Sequence, residues 1–279
     1  MINRVIAWVL GGVNALLLWV GYPAVPAGQK LDLGKFELTW SDEFDGDALD
    51  RAKWGGHGFG EGGVHKRRDG YWCLEMARVE DGTLRIPSIY SQEGVAGGPA
   101  GYYSCGIETR GLFEQKFGYF EARAMLPKGQ GLWSAFWLMP NAFGAEPGDG
   151  RTGAEIDVYE SAYHRDGWPK MNSVSSAVHY GGYGDGLRSQ GAGRWFVKRP
   201  YDTFHTYGLE WNENEYIFYI DGVACGRSAF GGVSQNPEWL ILSVEHQFGG
   251  WAGDIRENKE MTDFVVDYVK AYQYKELIS

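Results

Sequence analysis

Gly153-Ala154-Glu155-Ile156-Asp157-Val158-Tyr159-Glu160-Ser161 is the stretch whose reading decides the fold. Ile, Val and Tyr favour a strand, yet three carboxylates fall within six residues. Along a strand, side chains alternate faces, so Glu155 and Asp157 share one face and Ile156 and Val158 the other. Plain alternation then throws Glu160 to the wrong side. One extra residue, a β-bulge at Val158–Tyr159, resets the phase and returns Glu160 to its partners. The run therefore predicts a bulged strand presenting three acids to one surface. Such a row adds no stability: like charges repel, and burial under a substrate raises at least one pKa. The plain alternative is a solvated acidic edge. Against it, the opposite parity is apolar and Phe136-Trp137-Leu138 upstream has the composition of a core, so the strand reads as central. Acids on a central strand call for a cleft, a metal or a reaction.

Outward from this run the chain continues as short strands between glycine-rich turns. Upstream lie Phe36–Trp40, Thr83–Pro87, Ile107–Arg110, Tyr119–Leu126 and Leu132–Met139. Downstream lie Val174–His179, Tyr207–Trp211, Tyr216–Ile220, Trp239–Val244 and Phe264–Tyr274. Asp221-Gly222 is a hairpin turn signal. Residues 51–76 and 87–101 read as irregular, glycine-rich loops. No helical periodicity is sustained beyond the N-terminal leader. Many strands at short spacing predict an all-β, two-sheet sandwich or jelly roll in a single domain over 36–279, after a polar linker at 28–35.

With 279 residues, 15% aromatics, 12 Trp, 17 Tyr and 42 Gly, the chain suits a large sheet protein with a sizeable core. A formal charge of −10 argues against nucleic acid, which needs a basic footprint. Cys73, Cys105 and Cys225 are too few for a disulfide framework and read as buried hydrophobes or free thiols. At the N-terminus, Arg4 precedes an apolar run from Val5 to Val20, and Val25-Pro26-Ala27 offers a cleavage site. Residues 1–27 thus read as a signal peptide, with an uncleaved anchor or a packed amphipathic helix as the alternatives. The expected location is secreted or cell-surface.

Two carboxylates in a groove lined by aromatics suit glycoside hydrolysis, in which one attacks or stabilises the anomeric carbon and the other protonates the leaving oxygen. Trp133 and Trp137, just before the acidic strand, supply indole faces for sugar stacking, although either also reads as core. Glu155-Ile156-Asp157-Val158-Tyr159-Glu160 resembles the bulged E-x-D-x-x-E signature of glycoside hydrolase family 16. The resemblance runs from about Phe36 to Tyr274. It takes in Leu38–Phe44, Phe117–Arg123, Gly129–Trp137, His205–Trp211 and Val266–Val269.

The resemblance implies a concanavalin A-like jelly roll whose concave sheet forms an open cleft that cuts β-linked chains internally with retention. By position, Glu155 resembles the nucleophile, Glu160 the acid/base, and Asp157 the residue between them that holds the geometry. His179 resembles a cleft histidine; a hydrogen-bonded interior histidine is the plainer reading. His205 reads as structural. Arg67, Arg68 and Trp72 lie in a loop placed to cap one end of the cleft, the alternative being a solvated basic patch. A structural calcium is implied, held by carbonyls of Glu43 and Gly82 and by Asp267, with no cofactor for catalysis. The expected partner is a polysaccharide or glycan, and the expected state a monomer. The bulged motif resembles that of β-1,3-glucanases, agarases, carrageenases and endo-β-galactosidases. Ser134, Ser161, Ala162 and the Arg67–Trp72 loop depart from the usual glucanase pattern and keep a galactose-containing glycan open. A binding module of the same fold, or a metal site built from the acids, are the readings from other classes.

Overall fold

The computed structural model describes residues 29–56, 63–163, 172–258 and 260–278. The leader expected at 1–27 lies outside them. Eighteen strands are described: β1 (Phe36–Asp42), β2 (Val64–Arg67), β3 (Gly70–Cys73), β4 (Arg78–Glu80), β5 (Thr83–Ile86) and β6 (Ile89–Ser91). They continue as β7 (Gly101–Ser104), β8 (Gly106–Glu108), β9 (Gly118–Met125), β10 (Leu132–Pro140), β11 (Ala154–Ala162) and β12 (Ser173–Tyr180). The last are β13 (Arg188–Phe196), β14 (His205–Trp211), β15 (Tyr216–Ile220), β16 (Val223–Ser228), β17 (Glu238–His246) and β18 (Phe264–Tyr274). Among the described residues, helix is confined to single short turns such as Ile255–Glu257 and Lys275–Ile278. No helix among the described residues is long and apolar enough to cross a membrane.

Three sheets result. An outer sheet runs β16-β15-β14-β9-β18-β5-β4, with β1 also on β18. An inner sheet runs β13-β12-β11-β10-β17-β8. The outer and inner sheets enclose one core in which Phe120, Phe136, Ile156, Tyr207, Leu209, Leu242 and Val266 are buried. Because β-strand side chains alternate, the opposite parity of β10, Trp133-Ala135-Trp137-Met139, is left to the far face of the inner sheet. That face carries the acids.

The third sheet was not foreseen. Residues 51–76 and 87–101, read as loops, contribute β2, β3 and β6, which join β7 in the order β2-β3-β7-β6. These strands are only three or four residues long, too short for alternation to announce them, and β3 pairs β7 in parallel across a long sequence gap. The Asp221-Gly222 signal does form its hairpin: both residues take positive φ, at 50° and 70°, as the tight turn between β15 and β16 requires.

Candidate active site

The acidic strand β11 is central in the inner sheet, between β10 and β12. Its bulge falls at Val158–Tyr159. Against β10, Ala135 pairs Glu160 and Phe136 pairs Tyr159, but Trp137 pairs Asp157, leaving Val158 unmatched. Against β12, Asp157 faces Ala177 and Glu160 faces Ser175, so two residues oppose the single Ser176. The bulge is held on both counts that a buried backbone requires. Ser176 Oγ donates to the Val158 carbonyl at 2.5 Å, and the Val158 and Tyr159 side chains both enter the core, Tyr159 lying 4.3 Å from the Tyr207 ring. Glu155, Asp157 and Glu160 thereby share the face that carries Trp133 and Trp137.

Around Asp157 the polar contacts form a chain. His179 on β12 meets Asp157 Oδ2 through Nε2 at 2.9 Å and Ser189 on β13 through Nδ1 at 2.7 Å. Tyr183, in the loop after β12, donates its hydroxyl to Glu155. Trp133 hydrogen-bonds Glu160. Burial, reinforced by the Asp157 charge, raises Glu155 to about 7, against the pull of the Tyr183 hydroxyl, His179 and Arg67. The same two causes hold Glu160 well above the ordinary carboxylate range. Burial lowers His179, but its hydrogen bond and ion pair with Asp157 outweigh that and raise it to about 9. The imidazole is thus a cation at neutral pH, and Asp157 its counter-ion.

One side of the cleft is capped by the β2–β3 hairpin. Arg67 and Arg68 both bind Glu245 of β17. The Arg68 guanidinium lies 4.1 Å from the Trp133 ring and Arg67 lies 4.8 Å from the Trp72 ring. Trp251 meets Trp133 edge-on at 4.6 Å. Beside Glu160, a cavity of about 350 Å³ is lined by Trp133, Ser175, Gly191, Arg194 and Trp251, within the usual range for a small-ligand site.

The expected site residues divide on this map. Glu155, Asp157, Glu160, His179 and Trp133 converge, and Arg68 stands over Trp133. Trp137 is on the same face but only 4% exposed, donating to Ser243 Oγ at 3.1 Å. Trp72 does not offer a stacking face: it is 1% exposed, packs with Trp137 and Ile241, and donates to the Val244 carbonyl at 2.8 Å. It serves as wall beneath Arg67. Tyr183, Ser189, Glu245 and Trp251 were missed, because each reaches the site through a pairing or loop distant in sequence. His205 is structural in its contacts, bound to Asp221 and the Lys198 carbonyl.

Among the described residues, Glu155, Asp157 and His179 form the one group of metal-ligating type, their atoms within 4.8 Å of one another. A histidine that donates to the neighbouring carboxylate is an ion-pair partner rather than a lone-pair ligand, so this donor set does not fit a metal. Two of the residues expected at calcium carry side-chain ion pairs. Asp267 sits at the bulge where β18 slips against β9 and is bound by Arg123, and Glu43 is bound by Lys270 at 3.0 Å. Gly82 occupies the β4–β5 turn at φ 67°. The ligands expected from Glu43 and Gly82 are backbone carbonyls, so of the three expected donors these ion pairs involve the Asp267 carboxylate alone.

Comparison with known proteins agrees with this geometry. The family profile described as glycosyl hydrolases family 16 matches residues 64–270. A β-glucanase of Rhodothermus marinus is 31% identical over 266 residues, covering 86% of each chain. The endo-1,3-1,4-β-glycanase ExsH of Rhizobium meliloti is 32% identical over 198 residues; the match takes 70% of this chain but only 39% of that longer one. In structure, the catalytic domain of an endo-1,3-β-glucanase (laminarinase) from Thermotoga petrophila superposes with a TM-score of 0.67 at 29% identity, covering 86% of this chain and 98% of that one. With three acids gathered on one face by the bulge and three-quarters of its length under the family profile, the chain belongs to glycosyl hydrolase family 16.

Proposed function

We propose that the protein is an endo-acting, retaining glycoside hydrolase that cuts internal bonds of a β-1,3-glucan. The observation that carries this is the bulge that sets Glu155 and Glu160 on one cleft face astride Asp157, in a chain whose relatives include several β-glucanases. Glu160, kept protonated by burial, gives its proton to the glycosidic oxygen as the bond to the anomeric carbon breaks. The Glu155 carboxylate attacks that carbon and forms a glycosyl-enzyme. Glu160, now ionised, takes a proton from water, whose oxygen displaces Glu155 and restores both acids with net retention. Asp157, fixed by His179, holds a charge between the two and so opposes their simultaneous ionisation. Trp133 provides a stacking face at the point of cleavage.

A polymer too large to enter a cell demands an enzyme outside it, so export through the leader at 1–27 belongs to this proposal, as does action as a monomer. The test is a screen of laminarin, mixed-linkage glucan, agarose, carrageenan and mucin-type glycans with product sizing. A ladder of β-1,3-linked oligosaccharides is expected, the first product carrying the β configuration by proton NMR. Release of monosaccharide alone, or cleavage confined to galactose-containing glycans, would overturn the reading. Glu155→Gln should abolish cleavage yet leave glycan binding.

A further inference from the structure

The third sheet has a face that the catalytic reading leaves unused. Trp72 pairs Ser104, and Tyr90 pairs Tyr102. Tyr71, Tyr103 and Ile89 form the other parity and pack into or against the core. Trp72, Tyr102 and Tyr90 therefore share one face, and Trp72 on that face belongs to the buried cluster that holds Trp137 and Ile241. Moving away from the cleft along this face, burial falls. Trp72 is fully buried, Tyr102 is half-buried with part of its ring against the core, and Tyr90 is 52% exposed.

Phe248, 41% exposed, extends the strip. Its ring lies 6.0 Å from that of Tyr102, which is 5.1 Å from that of Tyr90. The Arg256 guanidinium sits 4.7 Å from the Phe248 ring, itself held by Asp254. Asp69 accepts from the Phe248 backbone N–H at 2.9 Å, which ties this loop to the hairpin whose Arg68 covers Trp133. A single exposed aromatic needs no explanation. Three adjoining rings that continue an aromatic-lined cleft do.

We propose that Phe248, Tyr102 and Tyr90, with Arg256, form an accessory polysaccharide-binding strip that holds the part of a β-glucan chain leaving the cleft past Arg68 and Trp133. The inference rests on the β-glucanase reading and extends it. The chemistry suits a neutral sugar chain: ring faces take the sugar's C–H surface, while the Tyr90 hydroxyl and the Arg256 guanidinium supply polar contacts to its hydroxyls. The continuity with the cleft selects the same chain as occupant rather than a separate partner.

The test compares two substrates, a tetrasaccharide of β-1,3-linked glucose and polymeric laminarin, on the whole protein. Tyr90→Ala/Phe248→Ala should lower kcat/KM on laminarin about fivefold to tenfold, of the order expected for losing one or two exposed ring contacts. The loss should appear in KM, and the tetrasaccharide should be cut at the wild-type rate. The ring-preserving pair Tyr90→Phe/Phe248→Tyr should keep most of the laminarin rate. An equal loss on both substrates would make the rings structural and overturn the strip, as would an unchanged laminarin KM. Should the double alanine variant fail to fold, Tyr90→Ser alone decides by the same comparison. Retardation of Glu155→Gln in laminarin gels, with and without the strip substitutions, reads binding apart from cutting. Wild type cutting neither glucan marks failure of the catalytic reading, whereas cutting both with a strip of no effect marks failure of this inference alone.

Discussion

Glu121 and Glu210 on the outer sheet and Glu155 and Glu160 on the inner sheet are held in opposite ways. On the outer sheet Glu121 accepts from Tyr119 at 2.8 Å and Tyr268 at 2.9 Å, and Glu210 accepts from Tyr219 at 2.7 Å and Tyr274 at 2.9 Å. Burial first, and the carboxylate second, push these phenols upward, so they stay protonated and remain donors. On the inner sheet Glu155 and Glu160 face Asp157 and each other, and burial with a like charge lifts both. All four lie on interior strands of their sheets. What separates Glu121 and Glu210 from Glu155 and Glu160 is a pair of neutral phenol donors on the one side and a facing like charge on the other.

The largest expected contrast tests that division directly. Glu160→Gln removes the proton donor and should lower kcat/KM on the order of 10⁴-fold, whereas Glu121→Gln and Glu210→Gln should stay near the wild-type rate. Steady-state kinetics on laminarin decides; a comparable collapse from an outer-sheet substitution would erase the distinction. The converse experiment strips the donors. Tyr219→Phe with Tyr274→Phe leaves the Glu210 carboxylate buried without its two hydroxyls and should cost about 2 kcal/mol in denaturant unfolding at neutral pH. Activity should be unaffected.

The same contrast explains how much the sequence disclosed. The bulge was legible because parity is arithmetic: three acids at 155, 157 and 160 share a face only if one residue is extra. The sandwich was legible from alternation on long strands such as β9 and β18. The third sheet was not, since strands of three or four residues carry no period and β3 meets its parallel partner β7 across nearly thirty residues. Trp72 was misplaced for a related reason. An indole in a basic hairpin has the signature of a ligand contact, and only the packing against Trp137 and Ile241 shows it as wall. The ion pair of Arg123 with Asp267, at a bulge in β18, is likewise announced by no motif.

The pH dependence sharpens the comparison further. Glu155, raised from 4.5 to about 7, is ionised at lower cost in the unfolded chain. Stability should therefore be highest below about pH 4.5 as far as this group decides, and fall as pH rises to about 7. Glu155→Gln should flatten that slope in thermal melts recorded across the interval. Activity runs the other way on its acid side: a nucleophile must be ionised, so kcat/KM should rise through about pH 7, a value that belongs to the coupled acids together. Alkaline loss should follow when Glu160 gives up its proton. His179 is a cation up to about pH 9 and lowers both glutamates. His179→Asn should move the acid limb upward, by about one unit; a limb unmoved or shifted downward would remove His179 from the electrostatics of the site.

The smallest effect asked of the cleft is also the closest analogue of the outer-sheet experiment, since it deletes the same phenolic hydroxyl. Tyr183 donates to Glu155 and lowers its pKa, but its side chain is 59% exposed. When Tyr183→Phe removes that donor, water can take its place, so the stability cost should stay within about 0.5 kcal/mol, as for other surface changes. The acid limb should still rise by roughly half a unit, equivalent to about 0.7 kcal/mol between the two protonation states. Above the limb the rate should be that of the wild type. At Glu210 water cannot follow, so the same deletion is read as unfolding free energy instead. A pH–rate profile and a denaturant titration on the two variants suffice. If Tyr183→Phe costs as much stability as Tyr219→Phe and leaves the limb in place, the cleft carboxylate is held like the outer ones, and the donor supply does not distinguish the two sheets.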